Sequence, residues 1–314
     1  MKWEKKGMIF EPKQRYDWMF SHSQIPFPVD FGNFVRVYFA TREAYRNGMC
    51  RSYGGFVDLD KYDLTKIIKV SEKPILSLGG IGEFDEFGVM PASVIKIKDK
   101  FYMYYCGWTR AVSTPHKEEI GIAVSEDGES FERIGRGPVI GDNLYEPYLH
   151  SYPVVCKFDD SDVYHMFYHT GVQWLQGEEK MEIQYLIRHA TSKDGINWER
   201  DYKDIIETEL EYESQTSPSV FKKDGLYHML FCYRYSLDFR DKSNRGYKIG
   251  YAVSSDLSTW ERRDGEAGIE LSVTGWDSKM IEYPSVININ GKYIMFYCGN
   301  EFGKQGFGYA ELVE

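Results

Sequence analysis

The chain has 314 residues, a length that fits one large domain or two of ordinary size, so its repeats have to decide the organisation. Aromatic residues make up 16% of the chain, which favours β structure and a binding site with flat walls. The formal net charge of -10 at pH 7 excludes nucleic acid and anionic membranes as expected partners, because both require a basic face.

The N-terminus carries three lysines but lacks the apolar core of a signal peptide, and no stretch approaches membrane-spanning length. We therefore predict a cytoplasmic protein. The five cysteines are odd in number, and three lie in apolar strand-like runs, which is typical of buried free thiols rather than of a disulfide framework. No Cys-x-x-Cys pair suggests zinc, and we predict neither a metal nor a cofactor.

The first predicted element is the segment MKWEKKGMIF (1–10). It consists of an aromatic residue, Glu and a base, followed by a short apolar run. The same phrase recurs in SFERIGRGPVI (130–140), NWERDYKDII (197–206) and TWERRDGEAGIEL (259–271). Each of those three closes a repeat unit, whereas the N-terminal copy has no unit before it.

The elements that follow repeat at a nearly fixed period. A degenerate copy begins at Pro26 and clear copies begin at Pro91, Pro153, Pro218 and Pro284, so the spacings are 65, 62, 65 and 66 residues. Each unit contains a short strand, a turn, a second strand of alternating aromatic and aliphatic residues, a third strand, and then the aromatic-Glu-base phrase. Such self-similarity without helical periodicity indicates a repeat architecture built of strands.

Four antiparallel strands per unit in five units predict an all-β fold, a five-bladed β-propeller formed by residues 1–314 as a single domain. The last unit stops after its third strand, GFGYAELVE (306–314). We expect the N-terminal segment to supply the missing fourth strand of that last blade. Pairing of the two termini would close the ring and remove exposed sheet edges.

The phrases ATSKDGINWER and AVSSDLSTWERR, with the strands before them, resemble the five-bladed glycoside hydrolases of the arabinanase, xylosidase and fructofuranosidase superfamily. The chain is also similar to the propellers of the mannoside phosphorylases. The resemblance implies that Ser and Asp form the turn between the third and fourth strands, and that the Trp packs between blades. It also implies carboxylates at the mouth of the central funnel, just ahead of each inner strand.

The carboxylates of the arabinanase-like families do not transfer to this chain residue by residue. Those families have an Asp directly before the first and third repeat prolines and a Glu two residues before the fourth. This chain has Ile25, Tyr152 and Thr216 at those positions. Any catalytic carboxylates must therefore lie elsewhere.

Glycoside cleavage requires a carboxylic acid and a carboxylate. Glu282 lies two residues before the proline of the last unit, between apolar neighbours that would raise its pKa and suit it as the acid. Glu213, five residues before its proline, is the candidate second carboxylate. Asp85 and Glu86 are the alternative, although Asp85 recurs as Asp277 in a similar aromatic-Asp setting, which favours a structural turn.

Five further residues are candidates for substrate binding. His22 and His150 precede repeat prolines and could hold sugar hydroxyls. Arg42 and Arg234 share one register of the second strand, a register that varies between units as a ligand-facing position would, and two arginines there suit an anionic group. Trp108 occupies the same register and offers a flat ring to a pyranose.

The sequence thus predicts a carbohydrate-active enzyme, a glycoside hydrolase that uses paired carboxylates on a small and possibly anionic glycan. Two alternatives stay open. One is a glycoside phosphorylase or related glycosyl-transferring enzyme, for which one carboxylate and cationic residues would suffice. The other is a propeller that binds carbohydrate or another partner without cleaving it, which the missing family carboxylates favour.

Overall fold

The computed structural model describes residues 1–46, 48–242 and 244–314, and the fold is all-β, as predicted. Within these residues, helical structure is restricted to a 3-10 turn at Asp264–Glu266 and a single turn, α1, at Asn300–Gly303. No helix in the same ranges has the length and hydrophobicity that crossing a membrane would require.

The N-terminal strand is β1 (Trp3–Phe10), and the strands after it form one sheet made of two antiparallel groups. The first group contains β2 (Ser21–Asp30), β3 (Phe34–Arg42), β4 (Ser52–Asp60) and β5 (Ile67–Val70). The second contains β6 (Gly88–Ile97), β7 (Lys100–Arg110), β8 (His116–Ser125) and β9 (Glu132–Arg133). A single parallel pairing of Ser52 with Gly88 joins the two groups.

The remaining strands form three four-stranded antiparallel sheets, the last of which includes β1. One sheet contains β10 (His150–Cys156), β11 (Tyr164–Gln176), β12 (Met181–Ser192) and β13 (Glu199–Asp204). The next contains β14 (Glu213–Lys223), β15 (Leu226–Tyr235), β16 (Lys248–Ser254) and β17 (Glu261–Arg262). The last contains β18 (Glu282–Ile289), β19 (Lys292–Cys298) and β20 (Phe307–Leu312).

The expected pairing of the two ends of the chain is confirmed. Strand β1 runs antiparallel to β20, with Trp3 opposite Leu312 and Phe10 opposite Phe307. Phe10 and Phe307 are buried in one core cluster, so the pairing is held by packing as well as by backbone hydrogen bonds. Without β1, the backbone of β20 would be an unpaired edge open to association with other chains.

The first strands of the five groups lie innermost and contact one another in succession. Strand β2 contacts β6, β6 contacts β10, β10 contacts β14, β14 contacts β18, and β18 returns to β2. A small space of about 10 Å³ lies between them, and every one of these five strands contributes to its lining. The inner strands therefore surround a common axis.

A β-bulge interrupts each inner strand close to its repeat proline. In four of them the residue before the proline has a positive φ: Ile25, Tyr152, Ser217 and Tyr283. A residue in this position normally takes an extended conformation, and positive φ is unfavourable for side chains larger than glycine. Because bulges redirect side chains and this strain recurs, we infer that the bulges exist to orient these residues about the axis.

The structural roles implied for the repeated phrases are confirmed. Ser192 and Asp194 accept backbone N–H groups of the turn between the third and fourth strands, at 2.9 Å from Gly195 and 2.8 Å from Ile196. The Trp198 ring lies edge-on to Tyr104 of the preceding group, with centroids 5.9 Å apart. Aromatic packing of this kind stabilises the contact between neighbouring sheets.

The base of each aromatic-Glu-base phrase forms an ion pair with a buried acid near the start of an inner strand. The four pairs and their N–O distances are Arg133–Asp85 (2.6 Å), Arg200–Glu146 (2.6 Å), Arg262–Glu213 (2.7 Å) and Lys5–Asp277 (2.7 Å). In three of the groups a tyrosine hydroxyl of the second strand also donates to the acid, from Tyr105, Tyr168 and Tyr297. These charged clusters fasten the fourth strand to the inner strand of the same group.

Candidate active site

A cavity of about 360 Å³ lies at the face of the molecule where the inner strands begin. Equivalent positions of different groups form its wall. The residues before the repeat prolines contribute Tyr152 and Tyr283, and the ends of the second strands contribute Arg42, Trp108 and Arg234. The beginnings of the third strands, or the residues just before them, contribute Ser52, Glu118, Tyr185 and Tyr247.

Tyrosines form much of the cavity floor. Tyr152 and Tyr283 are stacked, with ring centroids 5.5 Å apart and hydroxyl oxygens separated by 3.4 Å. The Tyr185 and Tyr247 hydroxyls form a hydrogen bond with each other. Flat rings carrying hydroxyl groups suit the apolar face and the polar edge of a sugar.

Arg234 is fixed at one side of this floor. Its Nη2 donates to the Tyr185 hydroxyl at 2.8 Å, its Nη1 donates to the Tyr235 carbonyl at 2.7 Å, and its guanidinium lies 3.5 Å from the Phe239 ring centroid. Only 4% of the residue is exposed. Arg42 is less constrained, since its Nε donates to Gln24 at 3.1 Å. The two arginines predicted from the repeat register therefore line the same cavity.

Glu118, which the sequence prediction missed, is a carboxylate in the cavity wall. His116 Nε2 lies 3.2 Å from Glu118 Oε1, and the Cys106 thiol donates to Oε2 at 3.6 Å. Burial alone would raise the pKa of Glu118, but the hydrogen bond and charge of His116 outweigh it and lower the pKa to about 2. Glu118 is therefore ionised throughout the physiological pH range.

Glu282 lies behind the wall rather than in it. Its carboxyl group is completely buried, whereas its neighbour Tyr283 and Phe302 line the cavity. Among the described residues neither carboxyl oxygen has a hydrogen-bond partner. Burial raises the pKa of Glu282 well above its ordinary value, and the charge of Arg234 offsets only part of this effect. Burial therefore favours the protonated form of the Glu282 carboxyl group.

This protonation leads to a stability prediction for Glu282→Gln. A buried acid with a raised folded-state pKa binds a proton that the unfolded chain releases above about pH 4.3, so folding stability falls as pH rises from there towards the folded-state pKa. Glutamine does not titrate, so the variant does not lose folding stability in this way as pH rises. We expect the variant to unfold at a higher temperature than the wild type at pH 8 and at a similar temperature at pH 4, measured by differential scanning calorimetry. An equal shift at both pH values would contradict the prediction.

His169 is a second cavity residue that the sequence prediction missed. Its Nδ1 lies 2.7 Å from Thr216 Oγ1, and the ring stacks on Tyr185 with centroids 4.3 Å apart. Burial lowers the pKa of His169 to about 3, so the imidazole is neutral. Its Nε2 is buried and has no hydrogen-bond partner among the described residues.

The structure separates the other predicted carboxylates from the cavity. Glu213 and Asp85 are the acids of two of the repeated ion pairs, and neither lines the cavity. Glu86 accepts the Gly82 backbone N–H at 2.9 Å in the loop before β6 and is likewise absent from the wall. All three residues therefore lie outside the cavity wall, in contacts of the surrounding scaffold.

The two predicted histidines also lie outside the first cavity. His150 is fully buried, with Nε2 3.5 Å from Glu146 Oε2 of a scaffold ion pair. His22 lines a neighbouring cavity, and burial, with the charges of Arg42 and Lys304, lowers its pKa to about 3. The structure therefore brings together Arg42, Trp108 and Arg234, with Glu282 behind them.

The register of the third strand could have revealed Glu118. Glu118, Tyr185 and Tyr247 each lie two residues before an aligned isoleucine, and all three line the cavity. Chemical variation at a fixed register was the signal used for the second strand, and the same reasoning extends to the third. His169 gave a similar signal, because the equivalent positions carry Cys106, Cys232 and Cys298 in other units.

No protein-family model matches the chain. Two Mycobacterium tuberculosis relatives, described as uncharacterized proteins MT1551 and Rv1502, are each 37% identical over 99% of this chain and 99% of their own length. The 1,2-beta-oligomannan phosphorylase of Thermoanaerobacter sp. is 32% identical over 44% of this chain and 43% of its own length. The similarity to this phosphorylase is thus partial.

Solved structures resemble the chain over nearly its whole length. A glycoside hydrolase has a TM-score of 0.77 at 18% identity, covering 98% of this chain and 91% of that one. A structure from the GH130 family of mannoside phosphorylases, which contains glycoside hydrolases that target β-1,2 mannosidic linkages in Candida mannan, has a TM-score of 0.70 at 14% identity, covering 98% and 93%. The resemblance to glycoside hydrolases and mannoside phosphorylases is confirmed for the fold.

Proposed function

The chain belongs to the same family as MT1551 and Rv1502 of Mycobacterium tuberculosis, and from the geometry of its cavity we propose that it is a carbohydrate-active enzyme that cleaves a glycosidic bond. The contrast between two glutamates carries the proposal. His116 favours the ionised form of Glu118 at 3.2 Å in the cavity wall, whereas burial behind the wall raises the pKa of Glu282 and favours its protonated form. Groups whose environments drive their pKa values apart are suited to serve as a base and an acid.

In this proposal Glu118 acts on the anomeric carbon or on the water that attacks it, and Glu282 supplies the proton for the leaving oxygen. Glu282 reaches the substrate only if Tyr283 or Phe302, which separate it from the cavity, shifts on binding. Trp108 and the tyrosines hold the sugar ring, and His169 Nε2 contacts one of its hydroxyls. Glu213, Asp85 and Glu86 have no catalytic role in it.

A five-bladed propeller in a single domain, residues 1–314, is part of the same proposal. The closed succession of inner strands supports it, as do the four-stranded groups around them. In such a ring the residues at the start of each inner strand converge on one axis. Convergence of this kind would explain how residues far apart in sequence share a wall.

Phosphorolysis is the second candidate function. Three arginines line the cavity, Arg42, Arg234 and Arg240, and could bind inorganic phosphate as the attacking group. Two partial relatives from Thermoanaerobacter are described as phosphorylases of β-1,2-linked mannosides, which adds weight to this candidate. A phosphorylase would need only one protein carboxylate together with these cations.

One screen tests the proposal and separates the candidates. The purified protein is assayed against nitrophenyl pyranosides, furanosides and uronides and against β-1,2-linked mannobiose, with and without inorganic phosphate. Release of free sugar without phosphate would establish a hydrolase, and phosphate-dependent formation of a sugar 1-phosphate would establish a phosphorylase. Saturable binding of these glycosides without turnover of any of them would contradict the enzymatic proposal and favour a binding protein.

A further inference from the structure

A second cavity, of about 550 Å³, adjoins the candidate active site. Arg42, Phe239, Arg240 and Phe302 line both cavities, so one thin wall separates them. Within this wall the Arg240 guanidinium lies 4.0 Å from the Phe239 ring centroid and 5.6 Å from that of Phe302. A substrate longer than one sugar that passes over these shared side chains would reach from the first cavity into the second.

The lining of the second cavity is basic, although the chain as a whole has a net charge of -10. Five of its residues are cationic, namely Arg42, Arg240, Lys242, Lys279 and Lys304, and two are acidic, namely Asp241 and Glu301. Lys242 and Arg240 also contact Asp238 and Glu182, which lie outside this lining, so the lining together with these two acids carries one surplus positive charge. Such a local reversal of sign concentrates anions in the cavity.

Internal ion pairs leave part of this charge unused. Lys242 lies 2.6 Å from Asp238, Lys304 lies 2.6 Å from Glu301, and Arg240 pairs with Glu182. Within the described ranges of the chain, Lys279 and Arg42 form no ion pair with a carboxylate. These two residues can therefore bind an external anion without first breaking an internal ion pair.

We propose that the second cavity binds an anionic group, a carboxylate or a phosphate monoester, through Lys279 and Arg42. The sugar of the leaving group carries this anion, so the inference rests on the proposed function. The apolar side chains Phe239, Met280 and Phe302 of the same cavity provide a surface for the ring that carries the anion. Charge-assisted hydrogen bonds to these cations would select an anionic substrate over its neutral counterpart. The substrate class is thus a glycoside with an acidic aglycone sugar.

Equilibrium binding tests this inference without any requirement for turnover. Glucose, glucuronate, glucose 6-phosphate and inorganic phosphate are titrated into the wild-type protein by isothermal calorimetry at low ionic strength. We expect at least one anionic sugar to bind about tenfold more tightly than glucose, which corresponds to about 1.4 kcal/mol. We also expect this advantage to diminish at higher salt. Comparison of the glucuronate and glucose 6-phosphate titrations identifies whether the cavity binds a carboxylate or a phosphate monoester.

Two variants connect the preference to the cavity. Lys279→Gln should abolish most of the advantage of the anionic sugar, whereas Lys292→Gln, which removes the same charge from the start of β19 outside both cavities, should preserve it. Equal affinity for glucose and both anionic sugars would overturn the proposal, as would an advantage that survives Lys279→Gln. Inorganic phosphate binding as tightly as glucose 6-phosphate would overturn the requirement for a sugar. Failure of the cleavage screen alone would leave these results intact.

Discussion

Glu118→Gln is expected to lower kcat by about 10³-fold on whichever glycoside the screen identifies, because it removes the one wall carboxylate that His116 keeps ionised. Glutamine preserves the shape and much of the hydrogen bonding, so KM should change far less than kcat. The measurement is steady-state kinetics of the two proteins at pH 7. Their unfolding temperatures are compared to show that the variant is folded.

Glu119→Gln is the matched control for this experiment. Glu119 is the next residue on β8, pairs with Lys117 at 3.2 Å and does not line the cavity. We expect its kcat to remain within about threefold of the wild type, since it is not part of the acid and base machinery. Glu182, which pairs with Arg240, is a second carboxylate that lines the cavity. If Glu118→Gln retained full activity while Glu182→Gln lost it, the reacting carboxylate would be Glu182 instead.

The fold could be predicted because its determinants are local and repeated. In each unit, alternating aromatic and aliphatic residues predict the strands and short polar segments predict the turns. Because five copies show the same pattern, each copy supports the assignment of the others. The role of MKWEKKGMIF followed from counting strands, since the last unit lacked a fourth. Such reasoning needs no knowledge of which residues meet across the molecule.

The carboxylates near the cavity were harder to predict because distance along the chain does not reveal the direction of a side chain. Glu213 was chosen for its closeness to a repeat proline, yet its carboxylate binds Arg262 in the scaffold. The signal against it was recurrence: the pairs of Asp85, Glu146 and Glu213 with their arginines are separated by 48, 54 and 49 residues. Recurrence identified the structural role of Asp85, and the same test applies to Glu213.

The succession of contacts among the inner strands explains the residues that were missed. Glu118 begins a third strand, and Tyr152 lies in the inner strand of the next group. No local pattern relates them, but both line one cavity because the inner strands surround a common axis. The sequence does not show burial either, and burial raises the pKa of Glu282 and lowers that of His169.

Arg262→Ala is expected to destabilise the protein by roughly 3–5 kcal/mol, because it leaves the fully buried Glu213 carboxylate without its cation. The backbone N–H groups of Glu209 and Leu210 would still donate to Glu213 but cannot replace the charge. The free energy of unfolding from urea titration at pH 7 measures the loss. A change below about 1 kcal/mol would show that the repeated ion pairs do not hold the fourth strands in place.

Arg263→Ala provides the comparison for that result, since Arg263 is adjacent, has 39% of its side chain exposed and pairs with Glu261 at the surface. A surface pair contributes about 0–1 kcal/mol, so its loss should be small.

The double variant Glu213→Leu with Arg262→Leu should recover much of the stability lost in Arg262→Ala, because a buried ion pair replaced by apolar side chains no longer leaves a charge without a partner. Recovery with unchanged turnover would assign Glu213 to the scaffold, whereas recovery with turnover abolished would return it to the catalytic candidates.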